Sequence, residues 1–135
     1  MYLGNCLCEA VKIKIKGQIS DIIYCHCSLC RKNSGTAFAT NGFINAKGFE
    51  ITAGKDNLSQ FSFKPGRNRH FCISCGSPVY SSNQRNPDRY RIRLGILDSN
   101  ITERPISHNL VSSKANCKEL EVKLPRYNSF ESSRD

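Results

Sequence analysis

Seven of the eight cysteines fall in three short groups, Cys6-Leu7-Cys8, Cys25-His26-Cys27-Ser28-Leu29-Cys30 and Cys72-Ile73-Ser74-Cys75-Gly76, and only Cys117 stands apart. Thiols grouped in this way point to metal ligation or to thiol chemistry, since neither needs sulfurs spread through the chain as a disulfide framework does. On an extended strand residues i and i+2 share a face. Cys6 with Cys8, and Cys25 with Cys27, are therefore each expected to present two sulfurs side by side. Cys72 and Cys75 form a CxxC turn, and Gly76 can take the positive φ that lets the backbone curl around an ion. A strand pair and a turn pair together supply the four thiolates of a closed structural zinc site. We assign Cys6, Cys8, Cys72 and Cys75 to it. Such a site ties the N-terminal segment to the second half of the chain, and its loss is expected to unfold the domain.

Cys25, Cys27 and Cys30 then remain as three thiols with no fourth group-mate, the ligand count of a catalytic zinc with an open position. An open zinc can hold a substrate thiol as its thiolate at neutral pH. Arg31 and Lys32 follow directly and either favour anions nearby or serve as solvated cations at a helix end. Two alternatives stay open. The middle group can join one of the other pairs, or its fourth position can be closed by Cys117, His26, His70 or His108, which would remove the argument for catalysis. His26 lies between two same-face cysteines and should point the other way, as a packed or hydrogen-bonded histidine. Cys117 reads as a plain buried or free thiol. A metal-free redox site built on the same three thiols is a further reading.

The elements that position these groups read as strands. Val11, Ile13 and Ile15 alternate with Lys12, Lys14 and Lys16, the pattern of a half-buried strand whose lysine face keeps the sheet soluble. Arg89-Tyr90-Arg91-Ile92-Arg93-Leu94 repeats the pattern with arginine. Arg89, Arg91 and Arg93 could clamp the carboxylates of an acidic substrate, although a solvated strand face is the plainer expectation. Ile19–Tyr24, Ala37–Ile44, Phe49–Thr52 and Leu58–Phe63 are rich in β-branched or aromatic residues and are punctuated by glycines at the spacing of an all-β domain. One short helix is expected over Ser28–Ser34, with Ser28 as its cap. Residues 1–127 read as one domain, and the polar residues Asn128–Asp135 as a frayed tail.

At 135 residues the chain is one domain long and can bury a core without covalent cross-links. Its first residues have neither the basic nor the apolar run of a signal peptide, and no stretch approaches the roughly 18 apolar residues of a membrane span. A cytoplasmic protein without membrane attachment is the expectation. The formal charge of +9 permits a second class of function, a zinc-stabilised binding module for nucleic acid or an acidic protein. Against it, the basic residues are scattered along the sequence with acids between them, and there is no RNA-binding aromatic signature or recognition-helix pattern. Thiolate-rich zinc centres are themselves anionic and account for part of the positive excess.

The order Gly4-x-Cys6-x-Cys8, Cys25-His26-Cys27-x-x-Cys30-Arg31-Lys32-x-Ser34-Gly35 and Phe71-Cys72-x-x-Cys75-Gly76-Ser77 resembles the glutathione-dependent formaldehyde-activating enzymes, the family that includes centromere protein V. Gly95-x-Leu97-Asp98, His108, Ser113-Lys114-Ala115 and Leu124-Pro125 extend the resemblance over nearly the whole chain. It implies a mainly β fold, a single zinc-stabilised β-tent domain with short helical turns, and two zinc ions per chain. The structural ion would be held by Cys6, Cys8, Cys72 and Cys75, and the catalytic one by Cys25, Cys27 and Cys30. The implied activity is that of a carbon–sulfur lyase: glutathione, or a similar small thiol, adds to formaldehyde or a related aldehyde to give S-hydroxymethylglutathione, or the reverse. Cys117 stands where many relatives carry tryptophan, a departure that touches the pocket wall and the substrate more than either zinc.

Overall fold

The computed structural model describes residues 1–118 and 123–130, so the part of the expected tail from 131 onward lies outside the described residues. The chain is mainly β, 43% strand and 15% helix. Its strands are β1 (Tyr2–Asn5), β2 (Lys12–Ile15), β3 (Ser20–Cys25), β4 (Ala39–Asn45), β5 (Phe49–Ala53), β6 (Leu58–Lys64), β7 (Arg67–Cys72), β8 (Pro78–Asn83), β9 (Arg89–Arg93) and β10 (Ser107–Asn109), with the helix α1 (Ser28–Ser34) between β3 and β4. No described helix is long and apolar enough to cross a membrane.

The strands form a three-stranded sheet in the order β1-β2-β5 and a seven-stranded sheet in the order β10-β3-β4-β9-β8-β7-β6. Adjacent strands are antiparallel except for β10, which runs parallel to β3. The sheets meet where Gly4 bridges to Leu97 and the Asp98 N–H donates to the Leu3 carbonyl at 2.9 Å. A side chain at Gly4 would collide with the Ile96 carbonyl oxygen; only glycine allows this approach.

The core lies between the sheets. Val11, Ile13 and Ile15 are buried, as the alternation in this segment predicts, and they pack with Ile19, Ile22, Ile44, Val79, Ile92 and Leu94. Burying each such aliphatic side chain contributes about 1.5–3 kcal/mol. Cys6 and Cys72 belong to this same cluster, so the sulfur centre they enter is continuous with the core.

Several local expectations are corrected. Cys6 follows β1 and Cys8 lies in a turn, so the pair is not carried on a strand. Likewise Cys25 ends β3 while Cys27 caps α1. The helix spans the expected residues, but its cap is Cys27 and not Ser28: the Cys27 sulfur accepts the Cys30 N–H at 3.3 Å. A thiol here does the work usually given to a hydroxyl or carboxylate. β7 and β8 escape pattern reading because Arg-Asn-Arg-His-Phe-Cys and Pro-Val-Tyr-Ser-Ser-Asn lack regular apolar alternation. β1 and the three-residue β10 are too short to carry a period.

Two glycines separate backbone strain from steric collision. Gly17 has φ +98 in open space, whereas Gly54 has φ +75 and an added Cβ would lie 2.0 Å from the Ala10 carbonyl oxygen. Gly17→Ala is expected to cost about 1–2 kcal/mol through backbone strain alone. Gly54→Ala should cost clearly more, since Ala10 and Val11 must move; urea unfolding of the two variants side by side checks the order.

Candidate functional site

The first sulfur cluster joins two turns distant in sequence. After β1 the chain folds back on itself, with the Glu9 N–H donating to the Cys6 carbonyl at 2.9 Å and Glu9 at φ 63. Cys72 ends β7, and the turn beyond it closes through the Gly76 N–H on the Cys72 carbonyl at 2.8 Å, with Gly76 at φ 74 as expected. The sulfurs of Cys6, Cys8, Cys72 and Cys75 all lie within 4.8 Å of one another. Cys6 Sγ is 3.6 Å from Cys8 Sγ, which is 3.7 Å from Cys72 Sγ. Zinc–sulfur bonds of roughly 2.3 Å in a tetrahedron place sulfurs about 3.8 Å apart. The cluster therefore has the size of a four-thiolate zinc site.

Its electrostatics also fit an ion. The Val11 N–H donates to Cys6 Sγ at 3.3 Å and Asn57 Nδ2 to Cys72 Sγ at 3.2 Å, while the Ser77 hydroxyl lies 3.2 Å from Cys75 Sγ. The Ser77 hydroxyl, with backbone N–H groups, holds the Cys75 thiol down at about 5. An Ala10 backbone bond pulls Cys8 the same way, but desolvation and the neighbouring thiols push it up to about 12. Charge on one sulfur thus suppresses charge on the next. A divalent cation at their centre removes that conflict.

Cys25, Cys27 and Cys30 form the second cluster, again within 4.8 Å of one another. Cys25 and Cys30 are buried. Burial pushes the Cys25 thiol up to about 12, helped by Cys30. Burial also opposes ionisation of Cys30, but hydrogen bonds from Cys27 and Cys25 and the Arg69 guanidinium outweigh it and hold Cys30 below the usual thiol range. Among the described residues no fourth cysteine, histidine or carboxylate joins the set. Of the residues considered for that place, Cys117 is exposed and free. His70 pairs with Ser82 at 3.0 Å. His26 is fully buried, and its Nε2 lies 2.9 Å from Nδ1 of His108, delivered by β10. The structure groups the cysteines as four, three and one.

Strand register adds a feature that the linear sequence hides. Arg69 on β7 lies opposite Ser81 on β8, which lies opposite Arg91 on β9, which lies opposite Phe43 on β4. With Arg67, Arg89 and Arg93 these residues line a cleft of about 80 Å³ that reaches Cys30. The expected solvated face of Arg89, Arg91 and Arg93 is corrected at Arg93, which is 7% exposed, while Arg89 and Arg91 are half-buried; Arg69, from β7, is 8% exposed. Asn33 Oδ1 accepts from Arg69 Nη1 and from Arg93 Nη2, each at 2.9 Å. Arg93 Nη1 donates to Asn41 Oδ1, and Arg69 Nη2 lies 3.9 Å from Cys30 Sγ. Burial lowers the Arg93 guanidinium, and Arg69 beside it lowers it further. The Arg69 guanidinium rests over Phe63 at 4.6 Å, and those of Arg89 and Arg91 over Phe43 at 4.0 and 5.1 Å.

Asn33 is the joint between α1 and the buried arginines. Asn33→Ala strips both guanidiniums of an acceptor and is expected to lower stability by about 1–3 kcal/mol, measured by denaturant unfolding of the metal-loaded chain. The same variant should lose little if Arg69 and Arg93 are solvated.

Comparison with known proteins meets this geometry. A Halomonas elongata protein, provisionally named a glutathione-dependent formaldehyde-activating enzyme, is 26% identical over 129 residues, 87% of this chain and 80% of its own. An Aspergillus flavus protein of the same provisional name is 30% identical over 57% of this chain and 42% of its own length. An uncharacterized lyase of Schizosaccharomyces pombe is 27% identical over 64% of this chain and 62% of its own, so these two fungal relatives extend well beyond the matched region. A Rhodobacter sphaeroides protein of known crystal structure shares the fold at TM-score 0.65, with 23% identity, 78% of this chain and 98% of that one covered. The profile of the family described as glutathione-dependent formaldehyde-activating enzyme matches residues 1–113, a span that includes both sulfur clusters and every arginine of the cleft, and the chain belongs to that family.

Proposed function

We propose that the protein is a zinc-dependent carbon–sulfur lyase that joins a small thiol, glutathione or a relative of it, to formaldehyde or a similar aldehyde, or runs that reaction in reverse. The observation that carries this reading is the three-thiol cluster, with no fourth ligand among the described residues, whose Cys30 lines the arginine cleft. Cys6, Cys8, Cys72 and Cys75 hold a structural zinc in this proposal, and Cys25, Cys27 and Cys30 a catalytic one. Zinc bound at three thiolates supplies the positive charge that keeps a substrate thiol ionised at neutral pH.

The chain's own residues do the rest. Of the three cysteines Cys30 lines the cleft, and in this reading the substrate approaches from there. In the addition, the thiolate sulfur donates its electron pair to the aldehyde carbon, forming the carbon–sulfur bond. The carbon–oxygen π pair moves onto oxygen, which then takes a proton from water. Arg69 and Arg93 are buried cations beside Cys30, placed to favour the negative charge that gathers on that oxygen. Reversal expels the thiolate and regenerates the aldehyde. Buried His26 pairs with the exposed His108 of β10 and helps hold that strand against β3, which in this reading makes it a positioning element for Cys25 and Cys27 and not a reacting group.

Metal analysis of the purified chain should find two zinc ions, one released readily to a chelator and one retained. Cys30→Ser should remove the labile ion and leave the fold, while Cys72→Ser should remove the other and lower the melting temperature sharply. With both ions confirmed, exchange between glutathione-bound and free formaldehyde, followed by NMR, should run faster than the spontaneous reaction. No acceleration with glutathione or with any smaller thiol would sink the proposed activity.

A further inference from the structure

Five guanidiniums around a space of about 80 Å³ ask for more negative charge than the protein provides. No aspartate or glutamate lines the cleft. Among the described residues the one carboxylate that meets these arginines is the exposed Asp21, paired with Arg89 at the rim. Arg69 and Arg93 have amide and sulfur partners, not acids. Three thiolates around a divalent ion would leave only a single net negative charge to set against them. Buried cations without full compensation are costly to a fold, and a ligand that neutralises them recovers that cost on binding.

Size narrows the ligand. A cleft of this volume falls well below the roughly 300–1,000 Å³ that encloses a drug-sized molecule. It can enclose an acidic head group, while the rest of a larger thiol would extend out of its open mouth. Its donors are forked and planar, and the Phe43 and Phe63 rings fix them in place, which suits the paired oxygens of a carboxylate or a phosphate. The absence of an acidic lining residue makes it a poor place for an ammonium group.

We propose that this cleft is an oxyanion subsite and that the thiol accepted by the protein carries a doubly negative head group, a phosphate monoester or a pair of carboxylates, and no cationic group within reach of the sulfur site. The proposal rests on the lyase reading above for the identity of the sulfur site, but anion binding itself does not. Arg67 and Arg91, half-buried on β7 and β9, set the mouth of the subsite. Arg69 and Arg93 form its floor beside Cys30.

The zinc-loaded protein, titrated with inorganic phosphate and separately with succinate, gives a direct readout in the NMR signals of the arginine Nε–H groups. Saturable shifts of Arg69, Arg91 and Arg93 are expected, with affinity reduced about tenfold or more in the Arg67→Gln/Arg91→Gln variant. Arg91→Lys, which keeps the charge but not the fork, should fall between them, and unchanged metal content shows that the variants fold. Whichever of phosphate and succinate binds more tightly identifies the head group. In the thiol reaction, mercaptosuccinate or mercaptoethyl phosphate should show a KM about tenfold or more below that of mercaptoethanol, and cysteamine the highest of the set. Absence of saturable shifts overturns the subsite whatever the thiol reaction does, as would equal KM values across the set. Anion binding without acceleration of any thiol addition keeps the subsite and sinks the lyase reading instead. A single-stranded oligonucleotide that displaces phosphate in proportion to its length would overturn the proposal in favour of a nucleic-acid groove.

Discussion

Four thiols gathered within 4.8 Å cannot all ionise unless something positive sits among them, and the gathering itself joins the two halves of this fold. The two turns that bring them together are separated by most of the N-terminal half of the chain. Joining Cys8 to Cys72 closes a loop holding β2 through β7, so an ion bound there would restrain the unfolded chain as a long-range cross-link does. Cys6 and Cys72 are also members of the apolar core. Metal ligation there would therefore be coupled to core packing: an ion would fix the edge of the core, and without the core the turns would not meet.

The second cluster obeys the same electrostatics with a different outcome. Its Cys30 sulfur leans on a cation from outside the sulfur cluster, Arg69, 3.9 Å away. The first cluster is served by neutral donors, Asn57, Ser77 and a backbone N–H. Neutral donors orient sulfur and add no charge, which suits a closed site. Charged ones raise the potential over the site and draw anions toward it. The two centres thus differ in surroundings as well as in ligand number.

The sulfur groupings were legible in the sequence because cysteine spacing carries the ligand count directly, and so were the strands whose apolar residues alternate, β2 and β9. The geometry that presents the sulfurs was not. Cys6 and Cys8, and Cys25 and Cys27, share a side because tight turns and a helix cap place them there, whereas period-2 reasoning would put each pair on a strand. The arginine cleft was legible only in its β9 part. Arg67 and Arg69 lie in a segment without apolar rhythm, and their neighbourhood with Arg91 and Arg93 depends on β8 lying between β7 and β9, which is a matter of strand pairing and register. Composition counted these cations as scattered; topology gathers them.

How the arginines are held bears on what the cleft can do. A protein commonly fixes a guanidinium with a carboxylate, which cancels its charge as it orients it. Here the orienting groups are the Phe43 and Phe63 rings and the Asn33 and Asn41 amide oxygens. Ring faces and amide oxygens position a cation and leave its net charge intact. A carboxylate in place of the Asn33 amide would hold the same two guanidiniums and cancel one of the charges. The neutral choice keeps Arg69 and Arg93 positive in a poorly solvated place, where their field acts at short range on Cys30 and on whatever shares the cleft with it. The cleft is thus preorganised toward negative charge before any ligand arrives, and the cost of that arrangement is carried by the core and the sulfur cluster that the same strands hold together.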